Sequence, residues 1–208
     1  IIAITGMVYS GCLNNAILNF DDLEYYNMYP EVINLSFASV KKIFTSYYLI
    51  MYQPLPVLSF AINYATTGMD PVPIHLVNVV MHLINIWLVF KFISELTEKK
   101  NIALIVAFLF ALHPMNVEAV SWMSARSSSM YVLFYLLALR SYVKYHKSGF
   151  QTKHLIIAAL YFIVSHFSKA QAVTLPVLLF AIDYYYSRKL NARLILEKIP
   201  FFALSVIF

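Results

Sequence analysis

The 208 residues are 61% hydrophobic and 12% charged, with a mean hydropathy of +0.71 and a formal net charge of +5. Soluble domains carry roughly a quarter charged residues, so this composition excludes an ordinary soluble globular chain. Lys and Arg fall between apolar runs instead of clustering on one surface, which argues against nucleic acid as a partner.

The apolar runs are continuous, whereas a β-barrel shows short segments of alternating polarity. They predict an all-α integral membrane protein, a multi-span helical bundle forming one domain. Sixteen Tyr and sixteen Phe suit a chain with much of its mass at the water–lipid boundary. The single Cys12 permits neither a disulfide nor a cysteine metal site. The chain starts at Ile1 without an initiator Met and stops at Phe208 in an apolar run that begins at Ile199. That reads as a fragment of a longer protein, ending at the start of a seventh span. The first run lacks a signal-peptide cleavage pattern and reads as a span.

Six spans are expected at about 1–19, 72–93, 101–113, 129–146, 154–168 and 172–186. The third and fifth are short and are expected to end in a protein-lined cavity. Lys99, Lys100, Arg140, Lys144, Lys147, Lys153, Arg188, Lys189 and Arg193 share one side, and only Lys41, Lys42, Arg126 and Lys169 the other. By the positive-inside rule the first set is cytoplasmic. Residues 20–70, 113–129 and 168–171 then converge on the outer side. Within 20–70, Pro54 and Pro56 suit a helix start, and Gly68, Pro71 and Pro73 its end. One or two helices along the membrane surface are expected here, roofing a cavity.

Polar residues in such a chain need a reason. On the second span His75, Asn78, His82 and Asn85 share one helical face, either for interhelical hydrogen bonds or to line a cavity. His113 and Glu118 flank a Pro-stopped turn, where Glu118 is either a first-turn acid suited to the dipole or a functional carboxylate. Lys169 is either a snorkelling interfacial lysine or a cation for an anionic headgroup. Asp21 and Asp22 read as a helix cap or as an acid pair that divides proton transfer and orientation. Asp183 reads as a helix-end anchor.

In order along the chain stand Phe20-Asp21-Asp22, Tyr52-Gln53-Pro54-Leu55, Pro73-Ile74-His75-Leu76-Val77-Asn78 with His82, Leu112-His113-Pro114 with Val117-Glu118-Ala119-Val120-Ser121-Trp122, and Ser168-Lys169 with Thr174-Leu175-Pro176. This set resembles the membrane domain of the transmembrane and tetratricopeptide-repeat O-mannosyltransferases and their bacterial relatives, which have the GT-C fold. The resemblance implies an inverting glycosyltransferase that moves a mannose-like sugar from a polyprenyl-phosphate donor to a protein Ser or Thr hydroxyl or another acceptor, such as a glycan. Asp21 is then the general base, Asp22 assists, and Glu118 is the second acid. Arg126 and Lys169 face the donor phosphate, while His75, Asn78, His82 and His113 line the cavity. Asp22 and Glu118 are the ligands for a divalent cation, Mg or Mn, should one bind. Two positions depart from the pattern: Gln53 replaces a frequent Arg, and Arg126-Ser127-Ser128 lacks an acid.

The expected location is a bacterial inner membrane with the active face in the periplasm, or the ER membrane in a eukaryote, with a repeat domain beyond Phe208. Asp21, Asp22, Glu118, Arg126 and Lys169 are expected to line one cavity open to the outer face. The rival is a GT-C-like scaffold that has lost its chemistry and binds a lipid or a partner protein. A transporter would show a pair of Gly- or Pro-broken spans at midplane, which this sequence lacks.

Overall fold

The computed structural model describes residues 1–207. It is helical as expected, and its one β-type pairing among the described residues is an isolated bridge between Tyr48 and Met51. The helices are α1 Ile2–Tyr9, continued by a 3-10 segment Ser10–Asn14, then α2 Asp21–Asn27, α3 Pro30–Ile33, α4 Phe37–Ile43, α5 Pro54–Thr67, α6 Pro71–Thr97, α7 Lys100–Leu112, α8 Asn116–Ser121, α9 Arg126–Lys147 and α10 Thr152–His166. A second 3-10 segment, Ala170–Thr174, leads into α11 Leu175–Tyr185, and α12 Ala192–Ile207 follows.

Among the described residues, α6 alone is long and apolar enough to cross a membrane by itself. Helix length and composition therefore do not by themselves establish the multi-span bundle. At 22 residues α9 has the length, but Arg126, Arg140, Lys144 and Lys147 make it amphipathic. The apolar segments Ile2–Asn14, Lys100–Leu112, Thr152–His166 and Ala170–Tyr185 are shorter. The last apolar run belongs to α12, which begins at Ala192, ahead of the expected Ile199.

Residues 20–70 hold four helices where one or two were expected. The Pro54 start and the stop at Gly68 are both found, with Gly68 at φ +64° just past α5. The signals for α2 to α4 are weak because each is only one or two turns long; α2 to α5 hold together through their own core of Tyr25, Val32, Ile43, Tyr48, Val57 and Phe60. Elsewhere α6 packs on α7 and α9, and α9 packs on α10. Two further cores follow from these contacts, Ile86, Leu88, Ala107 and Leu136 in one, and Leu139, Tyr142, Phe162, Leu175 and Phe201 in the other.

The Tyr48–Met51 bridge closes a two-residue turn. Leu49 and Ile50 both have positive φ, +48° and +66°, in a region that disfavours side chains by about 1–2 kcal/mol per residue. Neighbours lock the turn: the Leu49 N–H donates to the Tyr29 hydroxyl (2.9 Å), and the Tyr48 hydroxyl donates to Glu31 (2.6 Å).

Candidate active site

The acid pair opens α2, with Asp21 and Asp22 in its first turn and Phe20 at the cap position. Neither carboxylate is therefore the cap itself. Asp22 is fully buried; one oxygen accepts from the Ser124 backbone N–H (3.0 Å) and hydroxyl (2.5 Å), and the other from the Leu18 N–H (3.1 Å). Three donors meet the requirement that a buried carboxylate be hydrogen-bonded. Asp21 is part-exposed, and no side-chain hydrogen bond engages it among the described residues.

Asp22 lines a cavity of about 240 Å³ with Asn15, Leu18, His75, Ser121 and Trp122. The Trp122 indole N–H is buried there without a hydrogen-bond partner. His75 is buried too, with Asn15 backbone beside it but no hydrogen bond of normal geometry.

Arg126 is fully enclosed and does not face a cavity that could take a phosphate. Its guanidinium donates to Asn78 Oδ1 (2.9 Å), Ser59 Oγ (3.0 Å), Asn63 Oδ1 (2.6 Å) and the Ile74 carbonyl (2.8 Å), over the face of Phe60 at 4.4 Å. No carboxylate is among these partners. Tyr26 supplies no anion either: burial pushes its hydroxyl up to about 12, against the pull of Arg126, so it stays a neutral phenol. The arginine is thus a bolt joining α5, α6 and the start of α9. Its signal was readable only in part, since Asn63 and Ser59 lie on α5 at helical spacing but nothing local pairs them with position 126.

The polar face of α6 points inward, largely as interhelical hydrogen bonding predicts. Asn78 also donates to the Trp122 carbonyl (2.9 Å), His82 Nε2 pairs with the Ala111 carbonyl (3.1 Å), and Asn85 donates to the Ser129 carbonyl (2.8 Å). His113, expected to line the cavity, does not; it is exposed at the end of α7, where its Nδ1 accepts from the Met115 N–H (3.2 Å).

Glu118 lies in the first turn of α8, as its position after Pro114 predicts, and is exposed. It shares a second cavity, of about 280 Å³, with His82, Asn85, Ser128, Lys169 and Gln171. Lys169 donates to Ser128 Oγ (2.7 Å). Burial pulls its ammonium down from the ordinary lysine value, and Glu118 partly restores it. Lys169 and Gln171 also face a third, larger groove of about 830 Å³, whose other walls include Tyr47, Ile50, Tyr52 and Gln53. Sequence reasoning named Gln53 only as a departure. In the structure its amide N–H donates to the Tyr25 hydroxyl (2.5 Å), and its buried carbonyl oxygen has no partner.

The five residues expected in one cavity are therefore divided. Glu118 and Lys169 come together, Asp22 lines a different cavity, Asp21 lines none of the three, and Arg126 is sealed between helices. The divalent-cation set does not fit this arrangement. Asp22 and Glu118 line separate cavities, and no group of three or more His, Cys, Asp or Glu is placed to hold a metal among the described residues.

No family model and no solved structure matches the chain. Curated relatives do. The protein O-mannosyl-transferase Tmtc1 of Drosophila melanogaster is 36% identical over 123 residues, which is 59% of this chain and 14% of that protein. The protein O-mannosyl-transferase TMTC1 of Mus musculus is 39% identical over 92 residues, 44% of this chain and 10% of the relative. The protein O-mannosyl-transferase tmtc2 of Xenopus laevis is 33% identical over 150 residues, 70% of this chain and 18% of the relative. The chain spans less than a fifth of the length of these relatives. All three are animal proteins, so a bacterial source gains no support from them. The similarity supports the resemblance read from the motifs, and the chain is similar to protein O-mannosyl-transferases.

Proposed function

We propose that this chain is part of a multi-span membrane glycosyltransferase that moves a mannose-like sugar from a polyprenyl phosphate to a protein Ser or Thr hydroxyl, on the non-cytoplasmic side. The observation that carries the reading is the placement of Lys169. It stands at the shared wall of two cavities, a small one where Glu118, Ser128 and Asn85 face Phe110 and Val132, and a large groove beside the apolar Ile50, Met51 and Val173. A lipid-linked sugar phosphate has the matching shape: sugar, anionic waist and apolar tail. In this reading the sugar enters beside Glu118, Ser128 and Asn85, the phosphate meets Lys169, and the tail follows the groove.

The chemistry is a single displacement. A base removes the acceptor hydroxyl proton as its oxygen bonds to the anomeric carbon, and the carbon–oxygen bond to phosphate breaks with its electron pair leaving on the phosphate. Configuration at the anomeric carbon inverts. Asp21, whose carboxyl takes no hydrogen bond among the described residues, is the base; Asp22, held by three donors, positions it. Positive charge at Lys169 stabilises the departing phosphate. Asp21 lines neither the Glu118 cavity nor the groove, so transfer requires the bound donor to present its anomeric carbon to the hydroxyl that Asp21 deprotonates.

The test uses purified full-length protein, a polyprenyl-phosphate mannose and a Ser/Thr peptide. Asp21→Asn should abolish transfer and Lys169→Met should raise the donor KM at least tenfold. Full transfer by both variants rejects this site. The split between Asp22 and Glu118 also suits the lapsed scaffold, which predicts donor binding without transfer even in the unaltered protein.

A further inference from the structure

We infer that the Leu49–Ile50 turn is a membrane-surface anchor whose tip enters the headgroup–acyl boundary of the bilayer; the inference rests on the membrane reading above. Tyr48 and Met51 exchange both backbone hydrogen bonds at 2.8 Å, so the two residues between them form the tip. Asn-Gly is the usual occupant of a turn with two positive φ values, because β-branched side chains are disfavoured there. Here the second position is Ile50, 97% exposed, beside Tyr47 at 72%. In water a Gly or Asn would fill this tip with less strain. Strain and apolar exposure at the same residue mark a contact surface.

The placement of the tip names the partner. Phe44 and Tyr52 set their rings edge-on against Phe167, just past the end of α10, and the Leu55 N–H donates to the Phe167 carbonyl (3.1 Å). The turn is thereby fixed at the end of α10 and the start of α11, opposite the basic ends of α9 and α12. It lines the same groove as Val173 and Ile207. From that groove an exposed apolar surface runs along α11 and α12, through Val177, Leu178, Phe202 and Val206. The tip continues this uncovered surface at the level where the helices leave it. A Tyr followed by aliphatic side chains suits an interfacial insertion. Inserted, the tip holds the mouth of the groove at the depth of the lipid.

The experiment places nitroxide labels in full-length protein with its native cysteines replaced, reconstituted in phosphatidylcholine–phosphatidylglycerol nanodiscs. Labels at Ile50→Cys, Val177→Cys and Glu24→Cys are compared for relaxation by oxygen and by a water-soluble nickel chelate. Position 50 should be oxygen-weighted like 177 but shallower, with 24 nickel-weighted. A nickel-weighted position 50 beside an oxygen-weighted 177 overturns the anchor and leaves the membrane reading intact. Shielding of position 50 from both reagents assigns the tip to a protein contact and also overturns it. A nickel-weighted 177 overturns both readings. A second variant keeps the test independent of folding: Ile50→Gly relaxes the backbone at the exposed tip and should raise the Tm in detergent. In nanodiscs the same variant should make a Tyr47→Cys label more accessible to nickel, and unchanged accessibility overturns the anchor.

Discussion

The Asp22 carboxylate holds both the backbone N–H and the hydroxyl of Ser124, 102 residues further along the chain. This clamp fixes the start of α2 to the turn ahead of α9, and so fixes where Asp21 points. Ser124→Ala deletes the hydroxyl and keeps the N–H bond, with an expected loss of about 1 kcal/mol. Asp22→Asn sets an amide N–H against one of the backbone donors and should lose about 1–3 kcal/mol. Thermal unfolding in detergent of both single variants and the double variant measures the coupling. Additive losses would show that the two residues do not act as a clamp.

Arg126 leads to a different expectation. Four hydrogen bonds from one rigid fork reach two helices, and a lysine cannot reproduce them. Arg126→Lys and Arg126→Ala should both destabilise by about 3 kcal/mol or more, through stranded Asn63 and Asn78 acceptors and lost packing on Phe60. A phosphate-contacting arginine would instead show its largest effect in donor KM, with the Tm preserved and Lys a partial substitute.

These two residues also show what the chain made legible and what it did not. The limits of α5 follow from Pro54 and Gly68, and the inward face of α6 from the spacing of His75, Asn78, His82 and Asn85, because capping and helical periodicity are local. Topology alone brought Glu118 and Lys169 to one side, and the structure puts them in one cavity. The sealing of Arg126 was not legible. Which acceptors satisfy a buried cation depends on how α5 docks on α6, and no period in the sequence reports that docking. The Leu49–Ile50 turn escaped for the opposite reason: its residues break the local rule for such turns, and only tertiary contacts from Tyr29 and Glu31 hold them there.

Glu31 makes the stability of this outer segment depend on pH. Burial alone would raise its carboxyl, but hydrogen bonds from Tyr48 and Lys42 outweigh it and hold the group below the ordinary value of 4.5. A carboxyl depressed in the folded state stabilises fully above its unfolded value, and that contribution is lost as pH falls through the folded one. Wild type should therefore exceed Glu31→Gln in Tm at neutral pH, with the gap closing as pH falls below about 4.5. A gap independent of pH down to the acid limit of the melt would mean that the carboxylate form is not what is being held.

Lys169 is the last and most direct probe of the proposed donor site. Burial lowers its ammonium below the ordinary 10.5, and the Glu118 charge pulls it part of the way back. Phosphate binding needs the charged form, so affinity for a polyprenyl phosphate should fall as pH rises, with a midpoint below 10.5. Removing the Glu118 charge takes away the group that favours the ammonium. In Glu118→Gln the same alkaline fall must then begin at lower pH, while Lys169→Arg keeps its affinity across the range because a guanidinium does not titrate there. Binding isotherms of polyprenyl phosphate in nanodiscs between neutral and alkaline pH measure all three curves. A Glu118→Gln curve that overlies the wild type would mean that Glu118 does not act on Lys169, and the two-cavity donor site would lose its polar half.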